Sequence, residues 1–128
     1  MNRTLSAQSE QVLQDVHPDL VAVVREAFIV SEVSFSVLEG RRSPERQAKL
    51  KEAGMSHTLK SRHLTGHAVD LVPWINGTIP WNNWEAFVSV ADAMKSSARD
   101  LNIPLVWGGD WKNLRDGPHF ELSRQFYP

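Results

Sequence analysis

Two separated stretches of this chain carry residue types and spacings that suit a metal ion. Ser61-Arg62-His63-Leu64-Thr65-Gly66-His67-Ala68-Val69-Asp70 supplies His63 and Asp70, and Asp116-Gly117-Pro118-His119 supplies His119 with a further carboxylate, Asp116, just before it. Two imidazoles and one carboxylate leave the fourth tetrahedral position of a zinc ion open to water, which is what a hydrolytic site needs and a closed structural site lacks. The chain has no cysteine, so any transition metal has to be held by histidine and carboxylate.

Each of these residues also has a plainer reading. Asp70 is flanked by Ala68, Val69, Leu71 and Val72, where an unpaired charge is costly to bury, so it needs a cationic partner. A metal answers that need, and so does an ordinary salt bridge to Arg42 or Arg62. Asp116 could be no more than a turn residue of the Asp-Gly-Pro sequence. The pair His63 and His67, four apart as in helical zinc proteases, is a weak alternative ligand set. That motif requires Glu after the first His and a helix between, whereas Leu64 follows here and Thr65-Gly66 disfavours a helix. His67 is read as exposed or supporting, and His17 and His57 as surface or capping residues.

Bringing residue 63 to residue 119 requires the intervening elements to fold back. His17-Pro18-Asp19 opens a helix whose Leu20, Val23, Val24, Ala27 and Phe28 recur at helical spacing. Phe35, Val37 and, more weakly, Glu39 alternate with Ser34, Ser36 and Leu38, a strand ending at Gly40. Ser43 and Pro44 start a short charged helix through Ala53, stopped by Gly54. Met55 to His67 reads as a loop that delivers His63, and Ala68 to Val72 as a buried strand that delivers Asp70.

Asn76-Gly77 favours a tight turn with positive φ, predicting a hairpin before Trp81. Asn82 or Asn83 caps a long helix with a stripe of Trp84, Phe87, Val88, Ala91, Met94, Ala98 and Leu101 and with Asp92, Lys95 and Arg99 opposite. Leu105-Val106-Trp107 is a short strand stopped by Gly108-Gly109, and His119 to Leu122 is another. Helices and hairpin-linked strands without regular alternation predict an α+β fold, a small and mostly antiparallel sheet with helices packed around it. At 128 residues the chain fits a single domain, 1–128, with no separate wall-binding or other module.

Balanced charge, 14 basic against 15 acidic residues, gives nucleic acid nothing to bind by bulk charge. No stretch approaches the roughly 20 apolar residues of a membrane span. Met1 to Gln14 lacks the basic start and apolar run of a secretory signal.

The pattern Ser61-x-His63-x-x-Gly66-x-Ala68-x-Asp70, with Asp116-x-x-His119 and Trp107-Gly108-Gly109-Asp110-Trp111 between them, resembles the zinc peptidases of peptidoglycan, spanning about Glu39 to Leu122. That family includes D-alanyl-D-alanine carboxypeptidases and dipeptidases and the phage L-alanyl-D-glutamate endopeptidases. The resemblance implies one zinc ion held by His63, Asp70 and His119, with Asp116 as general base. The dipeptidase branch usually has Glu in that place, so Asp116, the Trp107 to Trp111 motif and the compact length look more like phage endolysins. Carbonyl stabilisation falls on the arginine of a Gly-aromatic-Arg segment, here Gly40-Arg41-Arg42; Arg41 stands where an aromatic residue is common, so Arg42 or Arg41 could do the work, or both could form a solvated basic turn paired with Glu39 or Glu45. Ser61 and Gln47 fall on supporting or substrate-contact positions, joined by Trp107 and Asp110. Among Trp74, Trp81, Trp107 and Trp111, any could line a groove, with Trp107 the best core candidate.

The implied chemistry is hydrolysis in which zinc brings the pKa of a water towards roughly 7 and Asp116 moves its proton. The implied function is a monomeric phage or prophage endolysin that cuts the L-alanyl-D-glutamate bond of stem peptides. Such a protein is made in the host cytoplasm and reaches the periplasm or wall through a holin-type lesion. The alternatives are D-alanyl-D-alanine peptidase activity with the same zinc site, or a non-catalytic zinc-stabilised wall-binding module.

Overall fold

The computed structural model describes residues 3–56, 58 and 61–128; His57 lies outside them. Four strands form one antiparallel sheet in the order β1-β2-β4-β3, where β1 is Ser34–Glu39, β2 Ala68–Trp74, β3 Leu105–Trp107 and β4 His119–Leu122. Four helices accompany it: α1 Ala7–Val12, α2 Pro18–Val30, α3 Pro44–Glu52 and α4 Trp84–Asp100. This is the α+β architecture that the patterning predicts.

The pleat sorts the sheet into two faces. Phe35 and Val37 of β1, Val69 and Leu71 of β2, and Phe120 and Leu122 of β4 point to the helices and join Leu20, Val23, Val24, Ala27, Phe87, Val90, Ala91 and Met94 in one core. The alternate residues, Asp70 on β2 and His119 and Glu121 on β4, therefore share the other face. On β1 the register shifts between Val37 and Glu39, so that Leu71 pairs with Val37 but Asp70 pairs with Glu39. Leu38 is the extra residue of this bulge. Simple alternation groups Glu39 with Phe35 and Val37; the bulge moves it to the Asp70 face instead.

Local chemistry explains most element ends. Pro18 and Pro44 open α2 and α3, with the His17 ring accepting from the Asp19 amide and the Ser43 hydroxyl from the Arg46 amide. Asn83 caps α4. The polar N-terminal stretch gave no sign of α1, yet Ser6 caps it, and Leu5, Leu13 and Val16 around it enter the core. Ser9 of α1 lies buried with its Oγ 3.0 Å from the amide of Val37, giving edge strand β1 a partner beside its bulge.

Two expectations change. Asn76 and Gly77 do adopt positive φ, 52° and 79°, but the hairpin reduces to a single bridge between Ile75 and Thr78 before the chain turns at Pro80 into α4. The buried face of α4 is also broader than its predicted stripe. Ala86, Val90, Ala93 and Ser97 are buried with Phe87, Ala91, Met94 and Ala98, while Trp84 and Leu101 at its two ends are exposed. α4 packs against both α2 and the sheet, so two adjacent ridges are covered, and small alanines fill the second.

Candidate active site

Antiparallel pairing brings the first two metal-type residues together. Asp70 on β2 and His119 on β4 are direct cross-strand partners on the face away from the core, where side chains stand within contact distance. His63 arrives from a single 3₁₀ turn, Arg62–Thr65, within the segment read as a loop. Ser61 caps that turn by accepting from the His63 amide at 3.2 Å. Gly66 closes it with φ 76°, a left-handed conformation, and a Cβ there would stand 2.5 Å from the Asp15 carbonyl oxygen, so the turn needs glycine twice over.

Asp70 Oδ1 lies 3.2 Å from His63 Nε2 and 3.5 Å from His119 Nδ1, and one ligand atom from each of the three residues falls within 4.8 Å of the others. The far nitrogen of each ring is held from behind. His63 Nδ1 sits 2.8 Å from the Gly40 carbonyl oxygen, which accepts and so fixes Nδ1 as the protonated nitrogen, leaving the Nε2 lone pair facing inward. His119 Nε2 sits 2.9 Å from Glu121 Oε1, which leaves Nδ1 facing Asp70. Once His119 gives up the proton on Nδ1, two imidazole nitrogens and a carboxylate oxygen close to one another form a donor set that suits a divalent cation such as zinc.

The charges around this point favour an anion at Asp70. Burial works to raise its pKa, but hydrogen bonds and charge from His119 and His63 outweigh burial and hold the carboxyl well below its ordinary range. His119 responds in the opposite sense. Burial lowers it, yet hydrogen bonds to Asp70 and Glu121 and the charges of Asp70 and Asp116 carry it up to about 9.

Arg42, not Arg41, reaches the cluster. Only 8% exposed, it donates from Nε to Glu39 at 2.7 Å and from Nη1 to Gln47 Oε1 at 2.7 Å, and its Nη2 lies 3.6 Å from Asp70 Oδ2. Gln47, buried on α3, donates in turn to the Ser56 hydroxyl and the Thr58 carbonyl. Arg41 is exposed on the turn before it. The alternative cation Arg62 points elsewhere: its Nη2 donates to the Leu122 and Tyr127 carbonyls.

The cluster floors a cleft of about 630 Å³ whose walls include Arg42, Ser61, Trp111, Asp116, Glu121 and Arg124. Asp116 is exposed as a residue, but enough protein crowds its carboxyl for desolvation to raise its pKa, with Asp70 adding to the rise. Its loop is tucked against the end of β3: the Asp116 amide donates to the Gly108 carbonyl at 3.0 Å, and a Cβ on Gly108 would come within 2.6 Å of the Asp116 carbonyl oxygen.

Other sequence candidates lie outside this group. Trp107 is buried, stacks between Trp84 and Phe120, and donates its indole N–H to the Gly117 carbonyl at 2.7 Å, so it supports the Asp116 turn from within the core. Asp110 is exposed and pairs with Lys95 at 2.7 Å. His67 bonds Thr65 and packs near His17. Sequence reading missed Glu121; it offered Glu39 as an ion-pair partner of the Arg41-Arg42 turn, and Arg42 does pair with it. Glu121 is separated from His119 by one residue, so strand alternation alone places both on one face.

A cleft floored by a His-Asp-His donor set that could hold a metal ion, with a carboxylate at its border, is an arrangement suited to metal-assisted hydrolysis. The chain belongs to the phage L-alanyl-D-glutamate peptidase family, whose model matches residues 1–127. It is 36% identical over 130 residues to the L-alanyl-D-glutamate peptidase of Escherichia phage T5, covering 99% of this chain and 94% of that one. A longer L-alanyl-D-glutamate peptidase of a Listeria phage is 31% identical over 91 residues, 71% of this chain and 31% of its own length.

Among solved structures, the chain is similar to the L-Ala D-Glu endopeptidase ChiX of Serratia marcescens, with a TM-score of 0.91, 50% identity and coverage of 98% and 93% of the two chains. The vancomycin-resistance D,D-dipeptidase VanXYg shares the fold at a TM-score of 0.52 and 18% identity, over 84% of this chain and 50% of that one. No helix among the described residues is long and apolar enough to cross a membrane.

Proposed function

We propose that this protein is a zinc peptidase that hydrolyses the L-alanyl-D-glutamate bond of bacterial peptidoglycan stem peptides, acting as a phage or prophage endolysin. The observation that carries this reading is the convergence of His63 Nε2, Asp70 Oδ1 and His119 Nδ1 in a cleft shared with Asp116. Half of the residues are identical to those of an L-Ala D-Glu endopeptidase over nearly the whole chain, which supports the choice of bond.

His63, Asp70 and His119 would hold the zinc ion, one per chain. When bound, zinc supplies Lewis-acid activation of water and of the scissile carbonyl. Asp116 accepts a proton from the attacking water on a carboxylate oxygen and delivers it to the leaving amine nitrogen as the carbonyl carbon gains the water oxygen and the C–N bond breaks. A raised pKa suits this shuttle, because a base nearer the working pH returns its proton more readily. Arg42 faces the negative charge that develops on the carbonyl oxygen. Glu39 and Gln47 hold its guanidinium in place beforehand, so little reorganisation is needed at the moment of reaction.

The chain acts as a monomeric, single catalytic domain. It is made in the host cytoplasm and works in the periplasm or wall after a holin-type lesion. Mass spectrometry of purified peptidoglycan after digestion, with zinc measured on the same sample, tests the reading. New L-alanine carboxyl ends that disappear with chelator are the expected result; released D-alanine, or an unchanged digest at full zinc loading, overturns it.

A further inference from the structure

Glu121 is an expensive residue to place where it is. It lies on β4 with only 7% of its surface exposed, between Phe120 and Leu122 of the core, and burying a carboxylate costs several kcal/mol unless it is paired and hydrogen-bonded. Two arginines stand near its other oxygen without closing on it: Arg124 Nε is 3.6 Å and Arg62 Nε 4.0 Å from Oε2, and Arg62 Nε is buried with no hydrogen-bond partner among the described residues. The hydrogen bond that Glu121 does make, 2.9 Å from Oε1, goes to His119 Nε2. The arginines supply balancing charge, and the directional contact is spent on the ring.

We infer that Glu121 is a positioning residue of the metal site: it holds His119 as the Nε2–H tautomer and aims Nδ1 at the metal. The inference rests on the reading of His63, Asp70 and His119 as metal ligands. His63 needs no such residue, because the Gly40 carbonyl does the same for its Nδ1. Among the described residues the partner of His119 Nε2 is a side chain rather than a backbone carbonyl, and residue 121 is the one that strand alternation offers. A ligand whose far nitrogen is unheld can rotate or change tautomer, and loss of such a partner typically weakens metal binding about 10- to 100-fold.

The test is zinc affinity, measured by competition with a chromophoric chelator, in the parent, Glu121→Gln and Glu121→Met, with ¹⁵N NMR of the His119 ring on the same samples. Gln keeps an acceptor oxygen in place; Met keeps the volume and removes the acceptor. The expected result is a loss of about 10- to 100-fold for Met, substantial rescue by Gln, and a zinc-loaded parent spectrum in which Nε2 keeps its proton and Nδ1 has lost its own and is shifted by the metal. A purely structural Glu121 would lower the melting temperature of both variants and leave zinc affinity alone.

If folded Glu121→Met binds zinc within twofold of the parent, the inference fails while the ligand reading stands. Should the Met variant not fold, the zinc-loaded parent decides: a His119 ring with its proton on Nε2 and the metal shift on Nδ1 supports the inference, and a metal shift on Nε2 overturns it. A parent that takes up no zinc sinks the ligand reading and this inference together.

Discussion

With His119 as a metal ligand, as proposed, its proton should link pH to both stability and metal uptake, with opposite signs. In the metal-free protein the imidazole is carried from its ordinary 6.5 up to about 9 by Asp70 and Glu121 against the pull of burial. A base whose folded pKa is raised contributes stability that is fully present below the unfolded value and is lost as pH climbs through the folded one. The window therefore runs from about 6.5 to about 9, and the shift corresponds to about 3 kcal/mol on the scale of 1.36 kcal/mol per pKa unit. Metal binding requires the same nitrogen without its proton, so apparent zinc affinity should rise about tenfold per pH unit from 7 towards 9 and then level off.

Thermal unfolding with and without chelator at pH 6.5, 7.5 and 8.5 reads both sides at once. The chelated protein should melt progressively lower across the series, by several degrees per kcal/mol for a domain of this size. The gap to the zinc-loaded protein should widen with pH. His119→Asn removes the titrating group and should flatten the chelated series. A chelated parent with a constant melting temperature over this range, or a slope that survives in His119→Asn, would refute the reasoning.

Other outcomes follow from the same contacts. Asp116→Asn keeps the shape but not the base, and activity should fall about 10²- to 10⁴-fold at unchanged zinc content; wild-type turnover with zinc bound would remove Asp116 from the mechanism. Arg42→Met should lower kcat about 10²- to 10³-fold and leave the Glu39 carboxylate and Gln47 Oε1 without their donor, so its melting temperature should drop as well; kcat within threefold of the parent argues against the stabilising role. Gly66→Ala forces a side chain into left-handed backbone and against the Asp15 carbonyl, and chemical denaturation should show a loss of at least about 1 to 2 kcal/mol. An Ala variant as stable as the parent means that the 62–65 turn closes differently.

Residue types and local periodicity carried much of the fold. The α2 stripe, the Ser43-Pro44 start of α3 and the Asn83 cap are local signals, and they settle where elements begin and which face is apolar. What they do not contain is a pairing partner. Asn76-Gly77 makes its turn, but whether a second strand follows depends on what lies across from it, and α4 begins instead. The bulge at Leu38 is similarly non-local, since only the register against β2 exposes the extra residue and carries Glu39 to the Asp70 face, within reach of Arg42.

The site divides along the same line. Residue type and spacing were enough to nominate His63, Asp70 and His119, because few side chains can bind a metal in a chain with no cysteine. Chemistry alone left a salt bridge to Asp70 as the rival, and the geometry holds both arrangements in superposition: Arg42 stands 3.6 Å from Asp70 Oδ2 while both imidazoles face Oδ1. One carboxylate thus has an oxygen for each neighbour, and the salt bridge does not compete with the ligand set. Its effect is to tie Arg42 to His63 and His119 through a shared anion, so that the guanidinium proposed to face the substrate carbonyl is held in register with the donor set. The partners that fix this arrangement, the Gly40 carbonyl, Gln47 and Glu121, carry no metal-binding signature, and their meaning exists only once β2, β4, α3 and the 62–65 turn have met.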